Sequence, residues 1–252
     1  MCGRFTILYT WEQVWTFHQP FRGPDVQPAE RYNVAPTTGV PALRLADDRE
    51  PEAVYLTWWL TPHWAKSSEH RYSMFNARSE GVETKPAFRG PFRKSRCVLP
   101  ISGFYEWQAP AEGSDRRKQP FYIRRADGEP ILLAGLWDRW EPNPTQQAEG
   151  LQPIESCTIL TTGANTQLAD LHNRMPCMLE PEQLERWLDP ALTEPASIHA
   201  FLRPAPEGVL AMHPVSARVG NARLDEPSLI QPTDSVVPSN DPEPPPEGSL
   251  FA

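Results

Sequence analysis

Short runs of apolar and β-branched residues alternate with polar, proline-containing stretches along most of the chain, and this pattern predicts a β-rich protein. The predicted strands are 40–46, 53–60, 96–102, 120–125, 130–137, 156–162 and 209–215. Other stretches have the spacing of short helices, namely 10–18, 165–172, 181–189 and 195–203. We therefore expect an α+β fold, in which a strongly bent antiparallel sheet or a barrel-like core carries helices at its periphery.

The organisation expected is one domain followed by a polar tail. A chain of 252 residues with 39% hydrophobic content and nine Trp can bury one large core. The polar stretches 108–119 and 141–153 are typical of surface loops within that domain. From Leu229 onward the chain is rich in Pro, Ser and acids and lacks Lys and Arg. We assign the domain to residues 1–228 and expect 229–252 to be a disordered tail.

The net charge of −8 argues against a nucleic-acid partner only until its distribution is considered. Half of that charge comes from tail acids, which are Asp234, Asp241, Glu243 and Glu247. The segment 85–96 contains five cations and no acid, and Phe88 and Phe92 interrupt it. Basic residues interleaved with aromatic ones are typical of surfaces that bind phosphates and unstacked bases, although a solvated loop has the same composition.

The cysteine pattern indicates reduced thiols. Four cysteines without a C-x-x-C pair are too few for a disulfide scaffold, and they are Cys2, Cys97, Cys157 and Cys177. His172 and His213 add no recognisable metal-ligand spacing, so we expect neither a metal nor a cofactor. No apolar run approaches the ~18 residues of a membrane span, and the N-terminus does not resemble an export signal. We expect no membrane association and a cytoplasmic location.

Cys2 carries the first chemical hypothesis. Removal of Met1 before a small residue would leave a free α-amine beside the thiol. With ordinary pKa values near ~8 for the amine and ~8.5 for the thiol, both nucleophiles are accessible at neutral pH. Such a 1,2-aminothiol converts an aldehyde first into a Schiff base and then into a thiazolidine ring, which resists hydrolysis better than an imine.

Two other interpretations of Cys2 remain open on this evidence. Many chains carry Cys at position 2 without consequence. Cys2 is also compatible with the N-terminal-nucleophile glutamine amidotransferases, and residues 22–25, RGPD, resemble a motif of some of them. The Asn-Gly pair that those enzymes use to bind glutamine is absent from this sequence.

A set of separated motifs favours a third interpretation. The motifs are MCGRF (1–5), RYNVAPT (31–37), FNARSE (75–80), RCVLPISGFYEW (96–107) and LHNRMP (171–176). Together they closely resemble the SRAP family, the SOS-response-associated, abasic-site-processing proteins, and the resemblance runs from Met1 to about Ser216. AGLWDRW (134–140) and TILTTGAN (158–165) also fit this pattern.

The resemblance implies a catalytic group made of Cys2, Asn76, Glu106 and His172. In it, Cys2 is the crosslinking nucleophile, and Glu106 holds or deprotonates the α-amine. His172 exchanges protons near neutral pH, as opening the deoxyribose ring and expelling water require. Asn76 offers an amide that orients the sugar oxygen or the thiol. Taken alone, each of the last three would more often be a structural residue.

The expected DNA contacts combine this resemblance with the basic composition. Arg78 and Arg174, beside Asn76 and His172, are expected to clamp the phosphates that flank the lesion. The remaining expected contacts are Arg4, Asn33, Pro36, Trp58, Trp59, Arg89, Arg96 and Trp107. Trp59 is a departure, because the family pattern usually has Trp-Gly-Leu where this chain has Trp58-Trp59-Leu60.

The function implied is covalent capture of abasic sites through a thiazolidine at Cys2, as part of the DNA damage and SOS responses. Single-stranded DNA and its junctions with duplex are the expected partners, and the protein would be monomeric and associated with the nucleoid when bound. The family also implies an autoproteolytic step that exposes Cys2 and a lyase side reaction. The alternatives from other classes are an amidohydrolase that releases ammonia from glutamine and a non-covalent single-strand-binding module.

Overall fold

The computed structural model describes residues 2–16, 22, 27–69, 72–110 and 117–233, and strands dominate them. The strands are β1 (Phe5–Ile7), β2 (Arg31–Val34), β3 (Gly39–Leu45), β4 (Pro51–Trp58), β5 (Asn76–Arg78), β6 (Arg96–Ile101), β7 (Gly103–Gln108), β8 (Gln119–Arg125), β9 (Ile131–Trp140), β10 (Ile154–Gly163), β11 (Arg174–Pro176), β12 (Met178–Leu179) and β13 (Leu210–Pro214). All seven predicted strands are present among them. The β-rich α+β prediction is thus confirmed.

The helices are short and are α1 (Trp11–Thr16), α2 (Arg89–Lys94), α3 (Pro144–Ala148), α4 (Thr166–Ala169), α5 (Leu184–Leu188) and α6 (Pro195–His199). Each predicted helical stretch contains one of them, while α2 and α3 were not predicted. Gly90 and Pro91 have low helix propensity, which is why the sequence did not predict α2. The fully buried Phe92 packs this helix against the core. The predicted loop 141–153 folds into α3 because Asn143 forms a capping box with Gln146.

The strands form two sheets. Five antiparallel strands in the order β13-β8-β7-β1-β2 make the smaller sheet. The larger sheet has eight strands in the order β11-β10-β4-β3-β6-β9-β12, with β5 added to β10. Because β10 pairs with both β4 and β9, the pairings of this sheet close into a ring.

The larger sheet is mixed, whereas the sequence favoured an antiparallel one. Strand β10 runs parallel to β4 and β5 and antiparallel to β9 and β11. Parallel pairing requires a long connection, and here α2 and strands β6 to β9 provide it between β5 and β10. Alternation of apolar and polar residues within a strand carries no information about the direction of its neighbours.

Close backbone packing joins the N-terminal strand β1 to β7. Thr6 pairs with Gly103, and a Cβ at Gly103 would lie 2.5 Å from the Tyr122 hydroxyl and 2.7 Å from the Ile123 carbonyl oxygen. That hydroxyl shares a hydrogen bond of 2.9 Å with Thr6. Only glycine fits at this position, which fixes the register of β1, β7 and β8. That register determines which residues of β7 lie beside the N-terminal residues.

The folded part of the chain extends past the predicted domain boundary at residue 228. Leu229 is fully buried within the 3-10 helix Pro227–Ile230, and the Thr233 amide donates to the Pro214 carbonyl at 3.0 Å. The prediction began the tail at Leu229 because this apolar residue stands next to a polar stretch, whereas the structure buries it. Residues 234–252 of the predicted tail, 111–116 of the predicted loop 108–119 and 23–26 of the RGPD motif lie outside the described residues.

None of the helices in the described part of the chain is both long and apolar enough to cross a membrane.

Candidate active site

Strands β1 and β7 place Cys2 beside Glu106. Phe5 pairs with Phe104, and the Tyr105 amide donates to the Arg4 carbonyl at 2.9 Å, so β7 runs alongside the N-terminal residues. Cys2 is fully buried and Glu106 is 2% exposed. A carboxylate in the interior is costly unless its surroundings stabilise it, which marks Glu106 as a site residue.

The environment of Cys2 keeps its thiol protonated. Burial raises the pKa of the Cys2 thiol above its ordinary value of 9.0, and the negative charge of Glu106 raises it further. A hydrogen bond from the Arg4 backbone amide opposes both effects and does not outweigh them. The effect of Glu106 on this pKa shows that its carboxyl lies within electrostatic reach of the thiol, which makes Glu106 a candidate proton acceptor.

Asn76 brings the larger sheet to the same point. It begins β5, pairs with Ile159 of β10, and donates through Nδ2 to the Cys2 carbonyl oxygen at 2.8 Å. Its Oδ1 atom is buried and has no hydrogen-bond partner among the described residues. The two sheets therefore meet at Cys2, where the amide of Asn76 still has an acceptor to offer to a substrate or to a free α-amine.

His172 lies in the turn between α4 and β11. Its Nδ1 accepts a hydrogen bond from the Arg174 amide at 2.9 Å, so the neutral ring carries its proton on Nε2. The turn is anchored to the end of β7, because Gln108 Nε2 donates to the Asp170 carbonyl at 3.5 Å. His172 is half-buried, and in this tautomer its Nε2–H is a hydrogen-bond donor.

The expected DNA contacts Arg4 and Asn33 have structural roles instead. Arg4 donates to Asn33 Oδ1 and to the Val219 carbonyl at 2.8 Å each, and to the Gly220 carbonyl at 3.3 Å. Asn33 Nδ2 donates to the carbonyls of residues 219, 221 and 224. Both side chains are buried, so they hold the segment after β13 against β1 and β2 and do not face solvent.

Trp58, Trp59 and Arg96 are also directed inward, which corrects their assignment to the DNA surface. Trp58 is fully buried, with its ring 4.6 Å from that of Phe5, and Trp59 is 6% exposed. Trp59 packs on Phe75, at 5.5 Å between ring centroids. The bulky residue that replaces the usual glycine therefore fills space beside the residue that precedes Asn76.

Arg96 ties α2 and α5 to β6. Its guanidinium donates to the carbonyls of Phe92 at 2.8 Å and Arg93 at 3.0 Å, and also to those of Trp187 and Asp189. It is 3% exposed, and burial lowers its pKa to about 10. Four backbone carbonyls thus occupy this guanidinium, which leaves it no role at the surface.

The other expected contacts do reach the surface. Arg78 and Arg89 are exposed, and Pro36, Trp107 and Arg174 are half-buried. On α2 and just before it, four cations are exposed without an ion pair in the described part of the chain: Lys85, Arg89, Arg93 and Lys94. Phe88 and Phe92, the aromatic residues of this basic segment, are both buried in the core and are not available to stack on bases.

Two features were missed by the sequence analysis. Glu80 forms a two-bond ion pair with Arg174, at 2.7 and 2.8 Å. Trp64 and Tyr72, which flank the loop leading to β5, are 54% and 75% exposed. The composition did not predict that these two aromatic residues are exposed, because most aromatic residues in the described part of the chain are buried. The FNARSE motif shows that Glu80 is an acid close in sequence to Asn76, but the sequence does not show that it pairs with Arg174.

Within the described residues, no three side chains among His, Cys, Asp and Glu come together as metal ligands. The chemistry that this arrangement supports is that of a buried thiol with an adjacent carboxylate, an amide acceptor and an imidazole donor.

Comparison with known proteins points in one direction. The family described as SOS response associated peptidase (SRAP) matches residues 1–222. The abasic site processing protein YoqW of Bacillus subtilis (strain 168) is 32% identical over 92% of this chain and 99% of its own length. The abasic site processing protein YedK of Escherichia coli (strain K12) is 32% identical over 92% of this chain and 100% of its own length.

More distant organisms and solved structures agree. The abasic site processing protein HMCES of Gallus gallus is 31% identical over 82% of this chain and 67% of its own length. A crystal structure of a protein from Bacteroides thetaiotaomicron superposes with a TM-score of 0.77 at 26% identity, covering 92% of this chain and all of that one.

Proposed function

The chain belongs to the SRAP family, and on this basis we propose that it captures abasic sites in DNA through a covalent bond to Cys2. The observation that carries the proposal is the convergence at Cys2 of Glu106 from one sheet and Asn76 from the other. The similar proteins named for abasic site processing support the same substrate. They do not favour the glutamine amidohydrolase alternative.

The reaction begins when removal of Met1 turns the Cys2 amide nitrogen into an amine. The amine attacks the aldehyde carbon of the ring-opened sugar and forms a carbinolamine. Loss of water from the carbinolamine gives an imine. The Cys2 sulfur then adds to the imine carbon while its proton passes to the nitrogen, which closes the thiazolidine without any leaving group or oxidant.

The residues of the site have distinct tasks in this sequence. Glu106 accepts a proton from the amine or the thiol, since its charge already acts on Cys2. Asn76 holds the Cys2 carbonyl and offers its buried Oδ1 to the amine. His172 donates a hydrogen bond from Nε2 to the departing water or the opening ring oxygen, because its Nδ1 accepts from the Arg174 amide. Removal of Met1 by the protein itself and cleavage of the DNA strand as a lyase use the same groups.

Exposed cations supply the strand-binding surface. Arg78, Arg174 and Arg89 contact phosphates, while Pro36 and Trp107 provide apolar surface for unstacked bases. Such contacts read no base sequence, which suits a protein that acts wherever a base is lost. We propose single-stranded DNA and its junctions with duplex as substrates of a monomer that works in the cytoplasm on the nucleoid.

The test mixes the protein with a fluorescent single strand bearing one abasic site and resolves the products on a denaturing gel after boiling. Wild-type protein is expected to give a retarded band, and Cys2→Ala to give none. Cys97→Ala is the matched control, because that thiol is equally buried but lies in β6. It should crosslink like wild type.

Borohydride separates the two covalent steps. Cys2→Ala still presents an α-amine once Met1 is removed, so it should give an adduct only when borohydride reduces the imine. Glu106→Gln and His172→Ala should slow adduct formation without abolishing binding. If mass spectrometry shows that the protein begins at Cys2 and no boiling-resistant adduct forms, the proposal fails.

A further inference from the structure

The Glu80–Arg174 ion pair lies at the edge of the larger sheet, beside the proposed site. Arg174 starts β11 and Glu80 follows β5 by two residues, and both strands pair with β10. Arg174 Nη1 and Nη2 donate to the two carboxylate oxygens at 2.7 and 2.8 Å. The partners differ in exposure, since the Arg174 side chain is 13% exposed and that of Glu80 is 61% exposed.

Arg174 is held in place by groups other than Glu80. Its Nη2 also donates to the Thr161 carbonyl at 2.5 Å and to Thr161 Oγ1 at 3.3 Å. Its backbone amide donates to His172 Nδ1. The guanidinium would therefore keep its position if the carboxylate left, while the exposed Glu80 can turn into solvent at little cost.

The position that Glu80 occupies suits a phosphate. The planar fork of an arginine binds a carboxylate and a phosphate with the same two parallel hydrogen bonds. Arg78, two residues before Glu80, is exposed, and both arginines lower the pKa of the Glu80 carboxyl, Arg174 most strongly through its hydrogen bonds. An ionised carboxylate thus lies on Arg174 and within electrostatic reach of Arg78, at a position where an anion is favoured.

We propose that Glu80 is a displaceable counter-ion, which a DNA phosphate replaces on Arg174 when the strand enters the site. The inference rests on the proposed function, because it identifies the ligand of Arg174 as a backbone phosphate. Glu80 then sets strand affinity without touching the reacting atoms. It weakens binding of any phosphodiester, since each strand must first exchange with the carboxylate.

The exchange predicts a specific change in salt dependence. In wild-type protein the freed carboxylate takes up a cation when the phosphate arrives, which offsets a cation released from the DNA. With Glu80→Gln that offset disappears. The slope of log affinity against log salt should therefore steepen by up to about 0.7, the value for one phosphate contact of a single strand.

The experiment measures non-covalent binding of an undamaged fluorescent single strand at several salt concentrations. Glu80→Gln should bind up to about fivefold more tightly than wild type at low salt, the range expected for removal of one exposed ion pair. Glu141→Gln is the matched control, because it removes a carboxylate of similar exposure, 54%, that is paired with Arg139, and it should leave the affinity nearly unchanged. Equal or weaker binding by Glu80→Gln than by Glu141→Gln would overturn the proposal.

A second background isolates the pair itself. In an Arg174→Gln protein, Glu80→Gln should change the affinity no more than Glu141→Gln does. If Glu80→Gln tightens binding equally in both backgrounds, the carboxylate acts through general repulsion and the exchange on Arg174 is refuted. The undamaged strand cannot form the crosslink, so the outcome is independent of the gel assay with the abasic strand, and failure of one is distinguishable from failure of the other.

Discussion

Arg4, just before the smaller sheet, and Arg174, at the edge of the larger one, are held in opposite ways. Arg4 is buried and its guanidinium donates to Asn33 and to backbone carbonyls after β13. At the edge of the larger sheet, Arg78 is exposed, and Arg174 is paired with an exposed carboxylate. All three arginines belong to motifs that suggested DNA contacts.

The difference shows that a shared motif does not imply a shared role. An arginine whose donors meet buried carbonyls stabilises the fold, because those carbonyls would otherwise be buried without partners. An arginine whose partner is an exposed carboxylate can exchange that partner for a ligand. Arg4 thus fixes the segment after β13 against the strands beside Cys2, and Arg174 presents a charge whose partner is exposed.

The largest expected effect tests the rigid side of this comparison. Arg4→Met would leave the Gly220 carbonyl and Asn33 Oδ1 without their Arg4 donor, while the Val219 carbonyl would keep only its hydrogen bond from Asn33 Nδ2. Each buried acceptor left unpaired costs about 1–3 kcal/mol. We expect the free energy of unfolding, measured with urea, to fall by about 3 kcal/mol. Arg78→Met, at an exposed position, should change it by less than about 0.5 kcal/mol.

The same pair of variants can reverse the assignment. If Arg4→Met were as stable as Arg78→Met but no longer bound the strand, Arg4 would be a DNA contact and its structural role would be disproved.

A smaller effect concerns the thiols inside the larger sheet. Burial raises the pKa of the Cys157 thiol well above its ordinary value of 9.0. Below that pH the thiol is protonated in both states; above it, only the unfolded chain loses the proton, so stability falls. Between about pH 8 and about pH 10 the contribution of one such thiol to the free energy of unfolding should drop by about 1.4 kcal/mol.

Urea unfolding of reduced protein at the two pH values measures this. Cys157→Ala should lose about 1.4 kcal/mol less than wild type over the interval. Ser156→Ala, a buried change on the same strand without a titrating group, should lose as much as wild type. Equal losses for wild type and Cys157→Ala would mean that solvent reaches this thiol and that the interior of the larger sheet is not sealed.

The smallest effect is expected at the exposed cations of α2. Replacing both Arg89 and Arg93 by Gln should weaken single-strand binding by about fivefold at low salt and flatten the salt slope by about 0.7 for each phosphate that is no longer neutralised. Fluorescence anisotropy measures both quantities. The folded state should be unaffected, because both side chains are exposed. Arg139→Gln, an exposed change on β9, is the control, and equal weakening by it would remove α2 from the strand-binding surface.

Local residue patterns were enough to specify the β-rich class and the positions of the longer strands, and to propose Cys2 as the nucleophile. Runs such as 130–137 have local strand propensity, which needs no partner to be recognised. The aminothiol proposed for Cys2 follows from its place after Met1. The motifs around Asn76, Glu106 and His172 identified the family because they match its residue pattern.

Which of the motif residues face inward was settled by packing between distant segments. Trp58 and Arg96 looked like surface contacts, yet their surroundings come from Phe5 and from α5, which lie far away along the chain. The parallel pairing of β10, the burial of Leu229 and the Glu80–Arg174 pair have the same origin. Burial and pairing depend on such long-range packing, and local composition does not specify it.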